Sequence, residues 1–297
     1  MVASVKKLMM ESGKKRLTKK QEGVILMLLS ALLFSTMQIT IKKSSLSVPL
    51  MEQVFFRNIV SLVISFIIIT KQKGSYLGSW KHQPLLFLRS SFGFAGLVAM
   101  FYAVANANQG DVTTLMKLSP FLIALWAAIF LKEPIKVPVV IALILAFAGA
   151  VFVANPAWTS HLLPLFMALA CALFSSVSYT LLAYFKDKVD GMTIIFHFSA
   201  FCVLATIPFI YDKFTIPDPV TMLQLILIGV LGGFGQITLT YSYRMAPAAE
   251  VSIYNYSGIV FSILLGYIFL GEILSWNSYV GIALVLAGSF VVYRFQK

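Results

Sequence analysis

Apolar residues fill most of this chain in runs of about twenty, separated by brief polar breaks. A helix that crosses the hydrocarbon core of a bilayer needs about 20 apolar residues. Against that length ten runs stand out, at about 22–42, 49–70, 84–105, 112–131, 137–154, 162–184, 192–211, 220–243, 250–270 and 276–293. The connections are short, and many carry Pro, Gly, Asn or Asp, as in Gln109-Gly110-Asp111, Asn155-Pro156 and Pro217-Asp218-Pro219. Such residues end helices and turn the chain. No connection is long enough for a separate soluble domain. The pattern predicts an all-α membrane protein with ten transmembrane helices.

One part of the pattern occurs twice. Sliding Tyr102–Val153 by 139 positions lays it on Tyr241–Val292, with Ala107 on Ala246, Val112 on Val251, Glu133 on Glu272, Leu145 on Leu284 and Gly149 on Gly288. The front of each half agrees too: Leu33-Phe34-Ser35-Thr36 matches Leu173-Phe174-Ser175-Ser176 at 140, and Gly93 and Gly96 match Gly232 and Gly235 at 139. A match at nearly constant offset marks an internal repeat. It divides the chain into a basic tail (1–21) and two five-span units, 22–154 and 162–294.

Composition supports lipid as the solvent. Of 297 residues 59% are hydrophobic and 11% charged, against about 25% charged in soluble domains. The net charge of +12 would suggest nucleic acid in a soluble protein. Here the basic residues flank apolar runs, so topology signals and lipid headgroups explain them, and no nucleic-acid partner is expected. Counted over alternate connections, Lys and Arg number 17 on one side and 3 on the other. That bias places both termini in the cytoplasm, which requires an even number of spans. A repeat displaced by five spans must cross in the opposite sense, so the two units are inverted. Inverted repeats are a means by which secondary transporters build two states around one central site. No cleavable signal peptide is evident, and a bacterial inner membrane is the expected location.

The endings Phe130-Leu131-Lys132-Glu133 and Phe269-Leu270-Gly271-Glu272, the Ala-Gly pairs at 148–149 and 287–288, and the ten-span duplication resemble the paired EamA domains of the drug/metabolite transporter superfamily. The resemblance covers about residues 22–294. It implies a carrier working by alternating access, with spans 3, 4, 8 and 9 beside a central cavity. It supplies no substrate.

Charges inside spans are costly, about 2.5–3.5 kcal/mol at the helix centre on insertion scales, so Lys117, Arg57 and Arg89 are suspects. Lys117 stands one turn before Pro120 with no carboxylate within a helical turn. Arg57 reads either as a substrate contact or as a tie to Gln53, Glu52 or a carbonyl, and Arg89 as a residue snorkelling to the headgroups. The acids stand at span ends: Asp111 and Glu250 as helix caps, Glu133 and Glu272 as loop ties. With no carboxylate in mid-span the cavity is expected to be positive. A buried unpaired cation then requires either an anion or loss of the lysine's proton. Tyr256 is the repeat mate of Lys117; with Tyr254, Asn255, Gln236 and Ser91 it completes the expected substrate-binding set. His197 reads as a structural histidine or as a proton-coupling group. Cys171 and Cys202 read as small core residues.

No phosphate-binding G-x-x-x-x-G-K-[ST] signature occurs, which argues against ATP-driven pumping by this chain. No cofactor, metal or catalytic residue is expected, and an enzyme is not. The expected function is a secondary transporter of a small polar metabolite, anionic or amino-acid-like. A lipid flippase-like or non-catalytic integral membrane protein is the alternative. The expected partners are a small-molecule substrate and membrane lipid, with monomer and homodimer both open.

Overall fold

A computed structural model of the chain describes residues 17–131, 137–154, 162–185, 187–212, 214, 217–245 and 253–295. Among these there is no strand. The helices are α1 (Lys19–Ser44), α2 (Leu50–Gln72), α3 (Gln83–Asn106), α4 (Gln109–Met116), α5 (Ser119–Leu131), α6 (Val137–Ala154), α7 (Leu163–Tyr184), α8 (Gly191–Ile210), α9 (Pro219–Met245), α10 (Ser257–Leu270) and α11 (Trp276–Phe295). Short 3₁₀ turns, Trp80–His82 and Ile253–Tyr256, lead into α3 and α10.

Local chemistry accounts for several boundaries. Thr18 and Gln21 form a reciprocal capping box at the start of α1, satisfying two orphan backbone donors. Asp190 accepts from the Met192 N–H at 2.8 Å to open α8. Gly271, at φ 66°, ends α10 in the left-handed conformation that a residue without Cβ adopts freely.

Six stretches are long and apolar enough to cross a membrane: α1, α2, Trp80–Asn106, Leu163–Leu182, α8 and α9. Val140–Val153, Tyr254–Leu270 and Trp276–Val291 are apolar but shorter. The predicted fourth span is broken into α4 and α5. At 26 residues, α1 is about 39 Å long, more than the roughly 30 Å hydrocarbon core.

The distribution of polarity is that of a chain solvated by lipid. Large apolar side chains face outward, with Phe147 70%, Leu204 67% and Leu223 66% exposed. Gln38, Gln53, Asn58, Arg57 and Arg89 are buried. In water the polar groups would be outside.

Helix packing is reciprocal between the two halves. The α1–α9 contact has its counterpart in α7–α3, α2–α9 in α8–α3, and α1–α10 in α7 against α4 and α5. The pairs α2–α8 and α6–α11 join an element to its own repeat mate. Single residues follow the same rule. A Cβ on Gly96 would meet the Phe174 side chain at 3.4 Å, and one on Gly235 would meet Phe34 at 2.9 Å. Where α6 crosses α11, a Cβ on Gly149 would lie 2.7 Å from the Gly281 carbonyl; its counterpart on Gly288 would lie 3.0 Å from the Ala142 carbonyl. Small residues let backbones come this close in lipid, where packing rather than hydrophobicity holds helices together.

Candidate functional site

A cavity of about 110 Å³ lies between the helices. Arg57, Arg89, Lys117, Gln236 and Asn255 all line it. No Asp or Glu is among its described lining residues.

Two arginines converge on one ring. The Arg89 guanidinium carbon lies 4.2 Å from the Phe198 centroid and that of Arg57 lies 5.5 Å from it. A ring face attracts a cation through its quadrupole, and the in-plane N–H groups stay free for other acceptors. Arg57 donates to the Asn58 side-chain oxygen at 2.7 Å. Its Nε, and Nε and Nη1 of Arg89, have no partner among the described residues. Arg89 does not snorkel. It is 1% exposed, because it starts an inward stripe of α3 continued by Gly93, Gly96, Leu97 and Met100. That stripe, spaced at helical period, was the sequence signal that places Arg89 in the cavity. Ser91, about 200° further round the helix, faces elsewhere and donates to the Phe87 carbonyl at 3.0 Å.

Lys117 stands at the interruption between α4 and α5. Its own N–H donates to the Thr113 and Thr114 carbonyls, a tightened last turn. Pro120 falls in the first turn of α5, where its missing N–H costs little, so the chain breaks at Lys117–Leu118 rather than kinking at the proline. The ammonium donates to the Asn255 side-chain oxygen at 2.8 Å. Asn255 belongs to the 3₁₀ turn that runs directly into α10, and the end of that turn, Tyr256–Ser257, is Lys117–Leu118 shifted by 139. Glycines seat both kinds of cation. A Cβ on Gly232 would lie 3.0 Å from Arg57 Cγ and Nε, and one on Gly258 would lie 3.1 Å from Lys117 Nζ.

The remaining expected residues sit around this centre. Gln236 donates to the Thr240 hydroxyl at 3.4 Å. Tyr256 is buried against Phe121 at 5.8 Å between centroids, its hydroxyl without a described partner. Tyr254 packs on an apolar cluster that includes Met27, Phe185 and Tyr243. His197 Nδ1 lies 3.0 Å from the Ser90 hydroxyl and does not line the cavity. Cys171 and Cys202 are free and buried, and Cys171 lines the cavity. Glu133 and Glu250 lie outside the described residues. No group of three His, Cys, Asp or Glu side chains gathers among the described residues.

A polar seam joins α1, α4 and α10 to one side of the cavity. The Thr113 hydroxyl donates to the Gln38 side-chain oxygen at 3.0 Å and lies 2.9 Å from the Ser262 hydroxyl, while the Gln109 amide donates to the Ser35 carbonyl at 2.9 Å. At its end Glu272 pairs with Lys42 and accepts from the Gln109 N–H. Lys42 also donates to the Ala107 carbonyl at 2.7 Å. Glu272 therefore ties three elements rather than only its own loop.

The EamA-like transporter family matches the chain twice, over residues 21–155 and 162–294. The chain is similar to the pseudopaline exporter CntI of Pseudomonas aeruginosa, 29% identical over 279 residues, covering 93% of this chain and 98% of the relative. It is also similar to solute carrier family 35 member G1 of Mus musculus, at 26% identity over 86% of this chain and 73% of that one. A riboflavin transporter of Brucella anthropi is 23% identical over 83% and 89% of the two chains. One solved crystal structure shares the fold with a TM-score of 0.67 at 19% identity, over 91% of this chain and 96% of its own.

Proposed function

The chain belongs to the EamA-like transporter family, and from that premise we propose that it is a secondary carrier moving a small, polar, anionic metabolite by alternating access. Membrane transport is common to the relatives named above. The anionic preference rests on one observation: three cationic side chains and no carboxylate among the described lining of the central cavity. Arginine keeps its proton at any physiological pH, so the cavity stays positive and an anion entering it relieves the cost of buried charge.

In this reading the broken helix α4–α5 and the turn-led α10 each count as one span. The total is then ten, in two inverted units, 22–154 and 162–294. The reciprocal packing of the halves supports this, as does the change from 3₁₀ to α geometry at Tyr256, the position that matches the α4–α5 break at Lys117. Half-broken helices facing each other at mid-membrane are a recurrent way to build a transport site. The excess of Lys and Arg on one side supports cytoplasmic termini in a bacterial inner membrane. The Lys42–Glu272 latch then closes the outer end, and the cluster around Met27, Phe185 and Tyr243 closes the inner end.

The test is reconstitution in liposomes with labelled anionic, zwitterionic and cationic metabolites at imposed pH gradients, with Lys117→Ala alongside. Uptake of anions that Lys117→Ala impairs is the expected result. Transport of cations alone, unchanged by the substitution, would overturn the reading. So would labelling that places the two termini on opposite faces.

A further inference from the structure

Two cationic centres, not one, face the cavity. The first is the pair Arg57 and Arg89 on α2 and α3, sharing the Phe198 ring of α8. The second is Lys117 at the α4–α5 break, held by Asn255 and packed beside Gly258. Their immediate neighbours differ, and each has its own neutral amide: Asn58 for Arg57, Asn255 for Lys117.

A single monoanion does not satisfy this arrangement. At the arginine pair three donor nitrogens, Nε of Arg57 and Nε and Nη1 of Arg89, are buried without a partner among the described residues. Both residues are at most 2% exposed, so bulk water does not solvate them. Carboxylates accept from guanidinium N–H groups in short, charge-assisted bonds. One carboxylate at the arginines nevertheless leaves Lys117 uncompensated, and one at Lys117 leaves both arginines so. A phosphate ester concentrates its charge on one group and can serve only one centre.

Resting on the carrier reading above, we infer that the cavity binds a small molecule bearing two separated carboxylates. The Arg57–Arg89 pair receives one and Lys117 the other. Gln236 and Asn255 present amides to the neutral polar part between them. The lining also includes Phe34, Leu97 and Met100, which suits a short carbon backbone between the acids.

The test uses the full chain, purified in detergent and also reconstituted. The probes are straight-chain dicarboxylates from succinate to adipate, monocarboxylates of equal length, and glycerol phosphate. Binding is read from the shift in unfolding temperature with ligand concentration, and transport from uptake into liposomes. At least one dicarboxylate is expected to bind about tenfold or more tighter than its monocarboxylate partner and than glycerol phosphate, a difference of about 1.4 kcal/mol. Lys117→Gln should bring the dicarboxylate down to the monocarboxylate level, and Lys117→Arg should restore part of the preference. Arg89→Gln should weaken both classes. The wild-type comparison stands even where a variant does not fold. Equal binding of mono- and dicarboxylates, tighter binding of glycerol phosphate, or no binding of any dicarboxylate would overturn the inference. If wild type takes up other anions without preferring two carboxylates, the carrier reading survives and only this inference fails. If it takes up nothing in the wider panel, the carrier reading fails first.

Discussion

The two matched halves of the chain supply the same helices to the cavity but different chemistry. Arg57, Arg89 and Lys117 all come from the first half. In the second half, α8 begins 141 residues after α2 and the later elements repeat at 139, so the corresponding residues are Phe198, Ile228 and Tyr256. One half brings charge; the other brings a ring for the arginines, an amide for the lysine and apolar packing. Duplication therefore explains the scaffold and its packing, and divergence between the copies explains the site. A cavity symmetric in charge would hold six cations, each costing several kcal/mol to bury. Placing charge on one side only, against neutral partners on the other, halves that cost.

Substitutions that move the charged half toward its neutral counterpart test this contrast. Arg89→Leu should have the largest effect. It should abolish uptake of anionic substrates, at least a hundredfold loss, while raising the stability of the empty protein by on the order of 1–3 kcal/mol, because an uncompensated buried charge is removed. Unfolding midpoints in detergent together with liposome uptake read both. A loss of stability with transport intact would show that the arginine is a structural tie.

Gly232→Ala comes next. The added methyl would press on Arg57 and on Met37 Sδ, 2.9 Å away, an overpacking cost of about 1–3 kcal/mol. Thermal unfolding should show destabilisation, with a rise in the Michaelis constant for uptake from the displaced guanidinium. The equivalent change at Gly93 moves Phe198 instead, and should raise the constant less, since no cation is directly displaced.

The Lys42–Glu272 pair lies away from both centres. Glu272→Gln removes its charge but keeps an acceptor for the Gln109 N–H. Partly exposed pairs contribute about 1 kcal/mol or less, a population shift of roughly fivefold. The reagent-accessibility of a cysteine placed at Ser35 should rise by about that factor, with substrate affinity little changed. An unchanged labelling rate would remove the pair from gating. Tyr256→Phe should do least. Its hydroxyl has no partner among the described residues and its ring packs on Phe121, so uptake should change by less than about threefold, well under 1 kcal/mol.

Much of this arrangement was legible in the residues. Lys117, Arg57, Gln236 and Asn255 were expected in a cavity because an ionisable or amide group inside a span needs a reason to be there, and all four line it. For Arg89 the distance from the span end permits a reach to the headgroups, and position along the chain alone does not exclude it. The direction of its side chain depends on helix phase, and the stripe from Arg89 to Met100 carries that information. Ser91 and Tyr256 show the converse: suitable chemistry, one or two positions from a cavity-lining residue, with Ser91 turned to the Phe87 carbonyl and Tyr256 packed on Phe121. Tyr254 likewise packs against the cluster around Met27 and Phe185.

Sequence alone determined that the chain is helical, that lipid is its solvent and that one unit occurs twice, since these follow from run length, composition and a near-constant offset. Tertiary packing alone decided that two arginines share one phenylalanine, that a lysine at a helix break meets an asparagine in the 3₁₀ turn before α10, and that Glu272 reaches Lys42. Those contacts join residues 141 and 109, 138 and 230 positions apart. Periodicity within one helix carries no information about which face of another, far along the chain, will lie against it.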